Sequence, residues 1–186
     1  MATPIGHSLA GLAVYSVAPD INKHSRLKLM LLCITMAVFP DLDLLPGLLQ
    51  GQPVLYHGSI SHSLGFALGV SLVIALIFRF QGSAFGPIFK LCLIAYVSHL
   101  VLDFFGPDGR APYGIPLFWP LSSAHFLSPI PLLLGARHVG STTASTMAFL
   151  RGVLSFYNVA AMTLEIVIVA PFIWLGQRFR RANREG

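Results

Sequence analysis

Seven side chains of the kinds that bind metal ions interrupt a chain that is otherwise mostly apolar. They are four histidines and three aspartates: His7, Asp41, Asp43, His57, His62, His99 and Asp103. The whole chain has only seven acidic residues, and aspartate is disfavoured in an apolar interior. We therefore expect bound divalent cations to compensate the three carboxylates.

Two of these candidates, His99 and Asp103, stand four residues apart in a long apolar run. On a helix, residues i and i+4 share one face, so both side chains can reach one cation. The alternative is a histidine that is hydrogen-bonded to its aspartate in a packed interior. Ionisable pairs inside a membrane usually mark a function, which favours the metal interpretation.

Two carboxylates follow a predicted break in a helix. Pro40 should end or bend the helix before it, which leaves Asp41 and Asp43 on an irregular turn. From such a turn the two carboxylates can bind neighbouring ions or share one, and their oxygens suit Zn²⁺, Mn²⁺ or Mg²⁺. The alternative is a polar helix terminus in which an aspartate caps the next helix.

The remaining candidates are histidines at the ends of apolar runs. His57 and His62 lie in a serine-rich loop before an apolar run, and His7 stands where the first run begins. Serine hydroxyls can form hydrogen bonds with metal ligands and so fix their orientation. The alternative for the loop is a solvated segment whose serines cap the following helix.

Four imidazoles and three carboxylates predict a site for two or more divalent ions, with zinc preferred and manganese or magnesium as alternatives. A single structural zinc would be closed by four ligands. A centre of several ions activates water and neutralises charge on a phosphoryl group, so phosphoester hydrolysis is the expected reaction. One aspartate would also accept a proton, and the catalytic candidates are Asp41, Asp43 and Asp103.

The composition predicts a polytopic, all-α membrane protein. Hydrophobic residues make up 55% of the 186 residues and charged residues 10%, against about 25% charged in soluble domains. We interpret residues 1–186 as a single membrane-embedded domain with a basic cytoplasmic tail at 177–186. A soluble, lipid-associated helical enzyme is the alternative. The formal charge of +5 does not indicate nucleic-acid binding, because the basic residues flank the apolar runs.

Five apolar runs predict four or five short or broken membrane helices. The runs cover about residues 8–18, 27–39, 64–78, 91–105 and 153–175, and only the last has the ~20 residues that cross a bilayer untilted. Residues 112–131 hold five prolines and several aromatic residues. They predict a structured loop at the outer interface.

Basic residues occur in alternate connections between the runs and predict the orientation in the membrane. They are Lys23, Arg26 and Lys28, then Arg79 and Lys90, and finally the tail with Arg178, Arg180, Arg181 and Arg184. The positive-inside rule places all three groups in the cytoplasm. All seven candidate ligands then fall on the opposite, outer side, which predicts one common site there.

The order of the motifs resembles the LexA-regulated, YdjM-like family of membrane-bound metal-dependent hydrolases. The matching segments are ThrProIleGlyHis with Gly11, PheProAspLeuAsp, HisGlySerIleSerHisSer, SerHisLeuValLeuAsp and GlyIleProLeuPheTrpPro. The resemblance covers most of residues 1–130. It implies a helical inner-membrane protein of bacteria or archaea, with metal ligands at the seven matching histidines and aspartates.

That family is in turn distantly similar to zinc-dependent phospholipase C and the P1-type nucleases, whose HxxxD element His99 and Asp103 match. Because the predicted site lies at the lipid interface, a phospholipid or another membrane-embedded phosphoester could reach it as substrate by lateral diffusion. In the family an arginine commonly follows the first loop histidine, whereas Gly58 stands there in this chain.

Several further residues and one rival function stay open. Glu165 lies inside the last apolar run and is an outside candidate for the site. In the outer loop, Arg110 could hold an anion, and Asp108 and His125 are polar neighbours that a solvated loop would also explain. The rival function is a non-enzymatic membrane protein with a structural or transported metal ion.

Overall fold

Seven α-helices and two short 3-10 turns form the described part of the chain, which the computed structural model gives for residues 1–19, 21, 25–137, 146–153 and 155–185. The helices are α1 (Pro4–Val17), α2 (Arg26–Val38), α3 (Leu44–Leu49), α4 (Leu64–Phe80), α5 (Phe85–Phe104), α6 (Thr146–Val153) and α7 (Phe156–Glu185). The aspartate turn (Phe39–Asp43) joins α2 to α3, and the histidine turn (Ile60–His62) precedes α4. These described ranges contain no β-strand, and the all-α prediction is confirmed.

Three helical segments are long and apolar enough to cross a membrane, judged by length and composition. They are Arg26–Leu49, Phe85–Phe104 and Phe156–Ala182, and α4 is a shorter apolar helix. The prediction of a helical membrane protein with broken segments is therefore confirmed. The expectation that only the last run reaches about 20 residues is wrong, because α5 also has 20 residues.

The extra length of α5 comes from its first turn. The helix begins at Phe85, six residues before the predicted run, and it includes Pro87 and Lys90. Proline is tolerated in the first turn of a helix, where no amide donor is needed. Lys90 is exposed, so its charge costs little at this end of the helix.

The aspartate turn follows from Pro40. The helix α2 ends at Val38, and the chain then winds into the tighter turn in which proline occupies one of the first positions. A proline inside α2 would remove an amide donor and clash with the preceding turn. The predicted break is therefore confirmed, and it places Asp41 and Asp43 in the tighter turn after α2.

α5 lies at the centre of the bundle and packs against α1, α2 and α4. Its buried residues recur at helical spacing and form one continuous stripe: Ile88, Leu91, Cys92, Ala95, Tyr96, His99, Leu100 and Asp103. The first two thirds of this stripe joins the apolar core with residues of α2 such as Cys33 and Met36. His99 and Asp103 continue the same stripe, so the packing that buries the core also buries them.

Close packing of α1 on α2 depends on a glycine. A Cβ atom on Gly11 would lie 2.7 Å from the Cys33 carbonyl oxygen and 2.8 Å from the Ile34 Cα atom. Any larger residue at this position would push the two helices apart. Gly11 therefore lets α1, which carries His7, approach α2 and α5.

The predicted aromatic loop is well ordered by its own contacts. Ile115 and Phe126 form an isolated antiparallel bridge with two backbone hydrogen bonds of 3.0 and 2.9 Å. The rings of Phe118 and Phe126 meet edge to face at 5.1 Å. The amide of Leu64 donates to the Leu117 carbonyl oxygen at 2.9 Å, so the loop also fixes the start of α4.

The basic tail continues α7 as a helix to Glu185. Arg180 stacks on the ring of Tyr15 at 4.7 Å and donates to the Tyr15 carbonyl oxygen at 3.3 Å. Tyr15 lies near the last residue of α1, whereas His7 lies near its first. The tail therefore packs at the end of α1 away from His7. Lys23 and the side chain of Arg184 lie outside the described residues.

Candidate metal centre

All seven predicted ligands lie in one cluster, at the end of the bundle where α1 begins and α5 ends. Four separate chain segments contribute them: α1, the aspartate turn, residues 57–62 and α5. The distances that join their histidine nitrogens to their carboxylate oxygens run from 2.9 to 3.8 Å. The structure thus brings together every residue of the predicted set.

His99 and Asp103 form the rigid centre of this cluster. The Nδ1 atom of His99 lies 2.8 Å from the Ala37 carbonyl oxygen, and because a carbonyl only accepts, Nδ1 carries the proton. The Nε2 atom of the same ring then presents a lone pair, 3.1 Å from Asp103 Oδ2. A backbone carbonyl behind a histidine ring is the arrangement that orients metal-binding histidines.

Several ligand atoms in the cluster are buried and make no hydrogen bond. Among the described residues these are His7 Nδ1 and Nε2, His62 Nε2, His99 Nε2 and Asp103 Oδ2. Buried polar atoms without partners are rare, and each needs an explanation such as a bound ion. The lone pairs of His99 Nε2 and Asp103 Oδ2 face each other, and only a cation or a proton between them makes this contact favourable.

The spacing of these atoms fits a small divalent cation. Asp103 Oδ2 lies 3.4 Å from His62 Nε2, and Asp103 Oδ1 lies 3.4 Å from His7 Nε2. Two ligands at the usual zinc distance and a tetrahedral angle are about 3.3 Å apart. The donor set of imidazole nitrogens and carboxylate oxygens is also one that zinc or manganese accepts. The residues therefore fit the implied metal.

The cluster contains three overlapping groups that could each hold an ion. They are His7 with Asp41 and His99, then Asp41 with His57 and His62, and finally His62 with His99 and Asp103. Asp41, His62 and His99 each belong to two groups. Of these three residues only the carboxylate of Asp41 can be shared by two neighbouring ions, whereas each histidine would bind one ion through one nitrogen.

Asp43 belongs to none of these groups and instead organises the loop that carries the histidines. Its Oδ2 atom accepts from the amide of Gly58 at 3.0 Å and from the hydroxyl of Ser61 at 2.9 Å. Its Oδ1 atom lies 2.9 Å from His57 Nδ1. Asp43 thereby orients His57, as a carboxylate does when it forms a hydrogen bond with a metal-binding histidine.

The charge of the carboxylates acts strongly on His62. Burial disfavours charge on its ring, but the adjacent carboxylates of Asp41 and Asp43 and the charge of Asp103 outweigh burial and raise the pKa of His62 to about 10. The carboxylates thus attract positive charge to this position. A metal ion would supply that charge instead, with the ring then neutral.

The start of the chain is held between two buried carboxylates. The amide of Ala2 donates to Asp103 Oδ1 at 2.8 Å. On the other side, Glu165 of α7 accepts from the amide of Thr3 at 2.9 Å and from the Thr3 hydroxyl. A Cβ atom on Gly6 would lie 2.5 Å from Glu165 Oε2. Glu165, an outside candidate, is therefore placed against the segment that carries His7 and not among the three groups.

Two polar residues that follow α5, Asp108 and Arg110, support the loop that holds His57. Arg110 donates to the carbonyl oxygens of Val54 and His57, at 2.6 and 3.2 Å. The carboxylate of Asp108 accepts from the amides of Arg110 and Gly114 at 3.0 and 2.9 Å. Asp108 therefore organises the loop and lies outside the three groups.

Sequence reasoning missed two supports of the cluster. Tyr96 is fully buried and donates from its hydroxyl to the Ser61 carbonyl oxygen at 2.7 Å, which fixes the histidine turn. Tyr96 lies one turn before His99 on an apolar helix, and this position could have predicted that its hydroxyl lies near the cluster. The Ala37 carbonyl had no such signal, because every residue has a carbonyl and only the packing of α2 on α5 selects this one.

The profile of the family described as YdjM inner membrane protein matches residues 1–182. The chain therefore belongs to this family of inner membrane proteins. No curated protein and no solved structure matches the chain.

Proposed function

We propose that this member of the YdjM inner membrane protein family is a metal-dependent hydrolase that cleaves phosphoesters at the outer face of the membrane. Its metal ligands would be His7, Asp41, His57, His62, His99 and Asp103, with Asp43 as the carboxylate that orients His57. Zinc is the preferred ion, with manganese or magnesium as alternatives, and the overlapping groups suit two or more ions.

One observation carries the proposal. His99 Nε2 and Asp103 Oδ2 are buried, make no hydrogen bond and lie 3.1 Å apart. The proton on His99 Nδ1 is held by the Ala37 carbonyl, so both facing atoms present lone pairs. A cation between them removes the repulsion and satisfies both atoms at once.

The chemistry would combine bound ions with one carboxylate oxygen that accepts a proton. When bound, divalent ions activate water at neutral pH and neutralise the charge that develops on a phosphoryl group. Asp41 has the most exposed side chain of the three aspartates, at 12%. Among the described residues it accepts no hydrogen bond from a backbone amide or a serine, whereas Asp43 accepts four. The Oδ1 atom of Asp41 faces His57, His62 and His99 and would bind metal. Its second oxygen, Oδ2, is therefore the atom we assign to accept the proton of the attacking water.

The distribution of basic residues supports an outer location. Arg79 lies in the last turn of α4 and Lys90 lies in the first turns of α5, and both are exposed. His62 precedes α4 and His99 lies near the end of α5, so the cluster is at the other ends of these helices. The positive-inside rule then directs the cluster outward. A substrate that is itself a membrane lipid would reach it by lateral diffusion.

A second candidate function is a purely structural metal site. It is favoured by the burial of the third group, in which His62 and His99 are 0% exposed and Asp103 is 1% exposed. Structural sites are closed by protein ligands, whereas catalytic sites keep a position open. Such an ion would join α5 to the histidine turn without any reaction.

Hydrolysis separates these two functions. Detergent-purified protein is stripped with chelator, reloaded with zinc or manganese, and assayed on bis-p-nitrophenyl phosphate and on phospholipid in mixed micelles. We expect hydrolysis that requires metal, is lost in Asp41→Asn and is unchanged in Lys28→Gln, an exposed change at the other end of α2. Bound metal that raises the melting temperature while neither ester is cleaved would leave only the structural function.

A further inference from the structure

Two cavities with polar residues in their walls lie beside the cluster and share part of their lining. The inner cavity has a volume of about 280 Å³, and its walls include His57, Ser59 and His125. The outer cavity has a volume of about 340 Å³ and is lined in part by Arg137 and Tyr157. Met1, Asp108 and Arg110 line both cavities. The inner cavity is thus the one that reaches a residue of the candidate metal centre.

Arg110 is a half-buried cation at the boundary of these cavities. Among the described residues no carboxylate lies within ion-pair distance of its guanidinium, because each such pair joins a histidine to an aspartate. The nearby carboxylate of Asp108 is instead occupied by the amides of Arg110 and Gly114. A partly buried cation without a counter-ion favours the binding of an anion.

The guanidinium is also held in a fixed position. Its two bonds to the carbonyl oxygens of Val54 and His57 use one hydrogen on each terminal nitrogen. A guanidinium has five N–H donors in a rigid planar fork, so donors remain for a ligand. Arg110 therefore presents a pre-organised anion-binding edge directly beside the loop that carries His57.

His125 adds a second donor to the same cavity. Its side chain is half-buried and lines the inner cavity, and within the described part of the chain its ring makes no hydrogen bond. An imidazole N–H can donate to an oxyanion, and an arginine fork matches phosphate geometry. The lining thus has the chemistry of a phosphate site.

We propose that the inner cavity binds the phosphate oxyanion of the substrate, with Arg110 as the anion-binding residue and His125 as a second donor. This inference deepens the proposed function and rests on it for the substrate. The ester bond would then lie between Arg110 and the His57 side of the cluster. Arg137, stacked at 3.9 Å on the ring of Tyr157, lines the outer cavity where the remainder of the substrate would extend.

The test is the binding of inorganic phosphate, measured by calorimetry on the full chain in detergent, with and without added zinc. The variants are Arg110→Gln, Arg110→Lys and His125→Ala, and Arg26→Gln is the matched control because Arg26 is exposed at the start of α2. We expect Arg110→Gln to weaken phosphate binding about tenfold or more and Arg110→Lys to weaken it less, since lysine keeps the charge but lacks the fork. His125→Ala should have a smaller effect, and Arg26→Gln should have none.

Metal content and melting temperature are measured on the same samples. Unchanged zinc content in Arg110→Gln, together with weaker phosphate binding, supports the inference. It also shows that the substitution has not disrupted the loop that carries His57. Wild-type protein that holds zinc but binds no phosphate, or variants that bind phosphate as tightly as wild type, would overturn it and leave the metal centre intact. If the wild type takes up no metal but still binds phosphate through Arg110, the proposed function fails and the cavity assignment stands.

A competition experiment identifies the source of the phosphate group. Glycerol 3-phosphate and phosphatidic acid in detergent micelles are each tested for displacement of inorganic phosphate. Displacement by both supports a phosphate head group recognised without its lipid chains, and displacement by phosphatidic acid alone supports a membrane lipid. If neither displaces phosphate, the cavity does not bind a substrate phosphate and the inference is wrong.

Discussion

The two halves of the buried stripe on α5 differ in chemistry although they are equally buried. Towards the start of the helix the stripe is apolar, with Ile88 and Cys92 both 0% exposed. Towards its end the same face carries His99 and Asp103, at 0% and 1%. Burial is favourable for the first pair and unfavourable for the second unless a partner satisfies it. The comparison indicates that one half is packed for stability, whereas the other presents ligand atoms that could hold an ion.

Tyr96 lies between the two halves and belongs to both. Its ring packs in the apolar core and against Phe39, and its hydroxyl holds the histidine turn. Tyr96 thus connects the two halves, and substitutions elsewhere on α5 can change one half without removing a residue of the other. The predictions below test whether changes in one half leave the other intact.

The largest effect is expected for the ligands themselves. His99→Ala and Asp103→Ala each remove one ligand from the buried group of His62, His99 and Asp103. Removing a supporting residue lowers metal affinity roughly 10- to 100-fold, and we expect a larger decrease when a ligand is removed. Metal content measured by mass spectrometry should therefore fall sharply after dialysis. His125→Ala, a histidine outside the three groups, should keep its metal, and equal loss in this control would argue against a specific site.

A change in the apolar half should have the opposite pattern. Ile88→Ala leaves a cavity in the core and should lower the free energy of unfolding by about 2–5 kcal/mol. Its metal content in the folded protein should equal that of wild type. Thermal unfolding in detergent and metal analysis on the same preparation provide the check, and loss of metal without loss of stability would contradict the separation of the two halves.

Asp43→Asn tests the supporting shell. Asparagine preserves the shape of the side chain but weakens its acceptance from the Ser61 hydroxyl and the Gly58 amide. We expect metal affinity to fall about 10- to 100-fold, less than in Asp103→Ala, as measured by competition with a chelator of known affinity. If Asp43→Asn abolishes metal binding as completely as Asp103→Ala, then Asp43 is itself a ligand.

The smallest effect is expected for Tyr96→Phe, which removes a single hydroxyl. The lost hydrogen bond to the Ser61 carbonyl should lower stability by about 0.5–1.5 kcal/mol. The ring remains, so the apolar packing should be preserved. A modest weakening of metal affinity alongside this change, seen in the same chelator competition, would show that the two halves are coupled through this residue. No change in either quantity would show that they are not.

Much of the arrangement could be predicted from local spacing. The four-residue separation of His99 and Asp103 fixes their common face on any helix, and Pro40 fixes the break that sets Asp41 beside them. The convergence of all seven residues followed from the alternation of basic and ligand-bearing connections. These predictions use only the geometry of a helix and the distribution of basic residues about a membrane. They do not require the packing angles between helices.

The rest depends on packing that no local pattern encodes. Asp41 and Asp43 have nearly the same sequence surroundings, yet only Asp43 accepts hydrogen bonds from residues 58–61. The contact of Glu165 with Thr3 joins residues 162 positions apart. The early start of α5 was missed because Gly86, Pro87 and Lys90 have the composition of a connection.

X-ray absorption spectroscopy at the zinc edge, on wild-type protein reloaded with zinc in detergent, tests the central claim most directly. The cluster predicts two or more ions per chain with only nitrogen and oxygen ligands, since Cys33 and Cys92 lie in the apolar core away from the histidines. A folded protein that retains no zinc, or a spectrum with sulfur ligands, would contradict the assignment of His99, Asp103 and their neighbours as a metal centre.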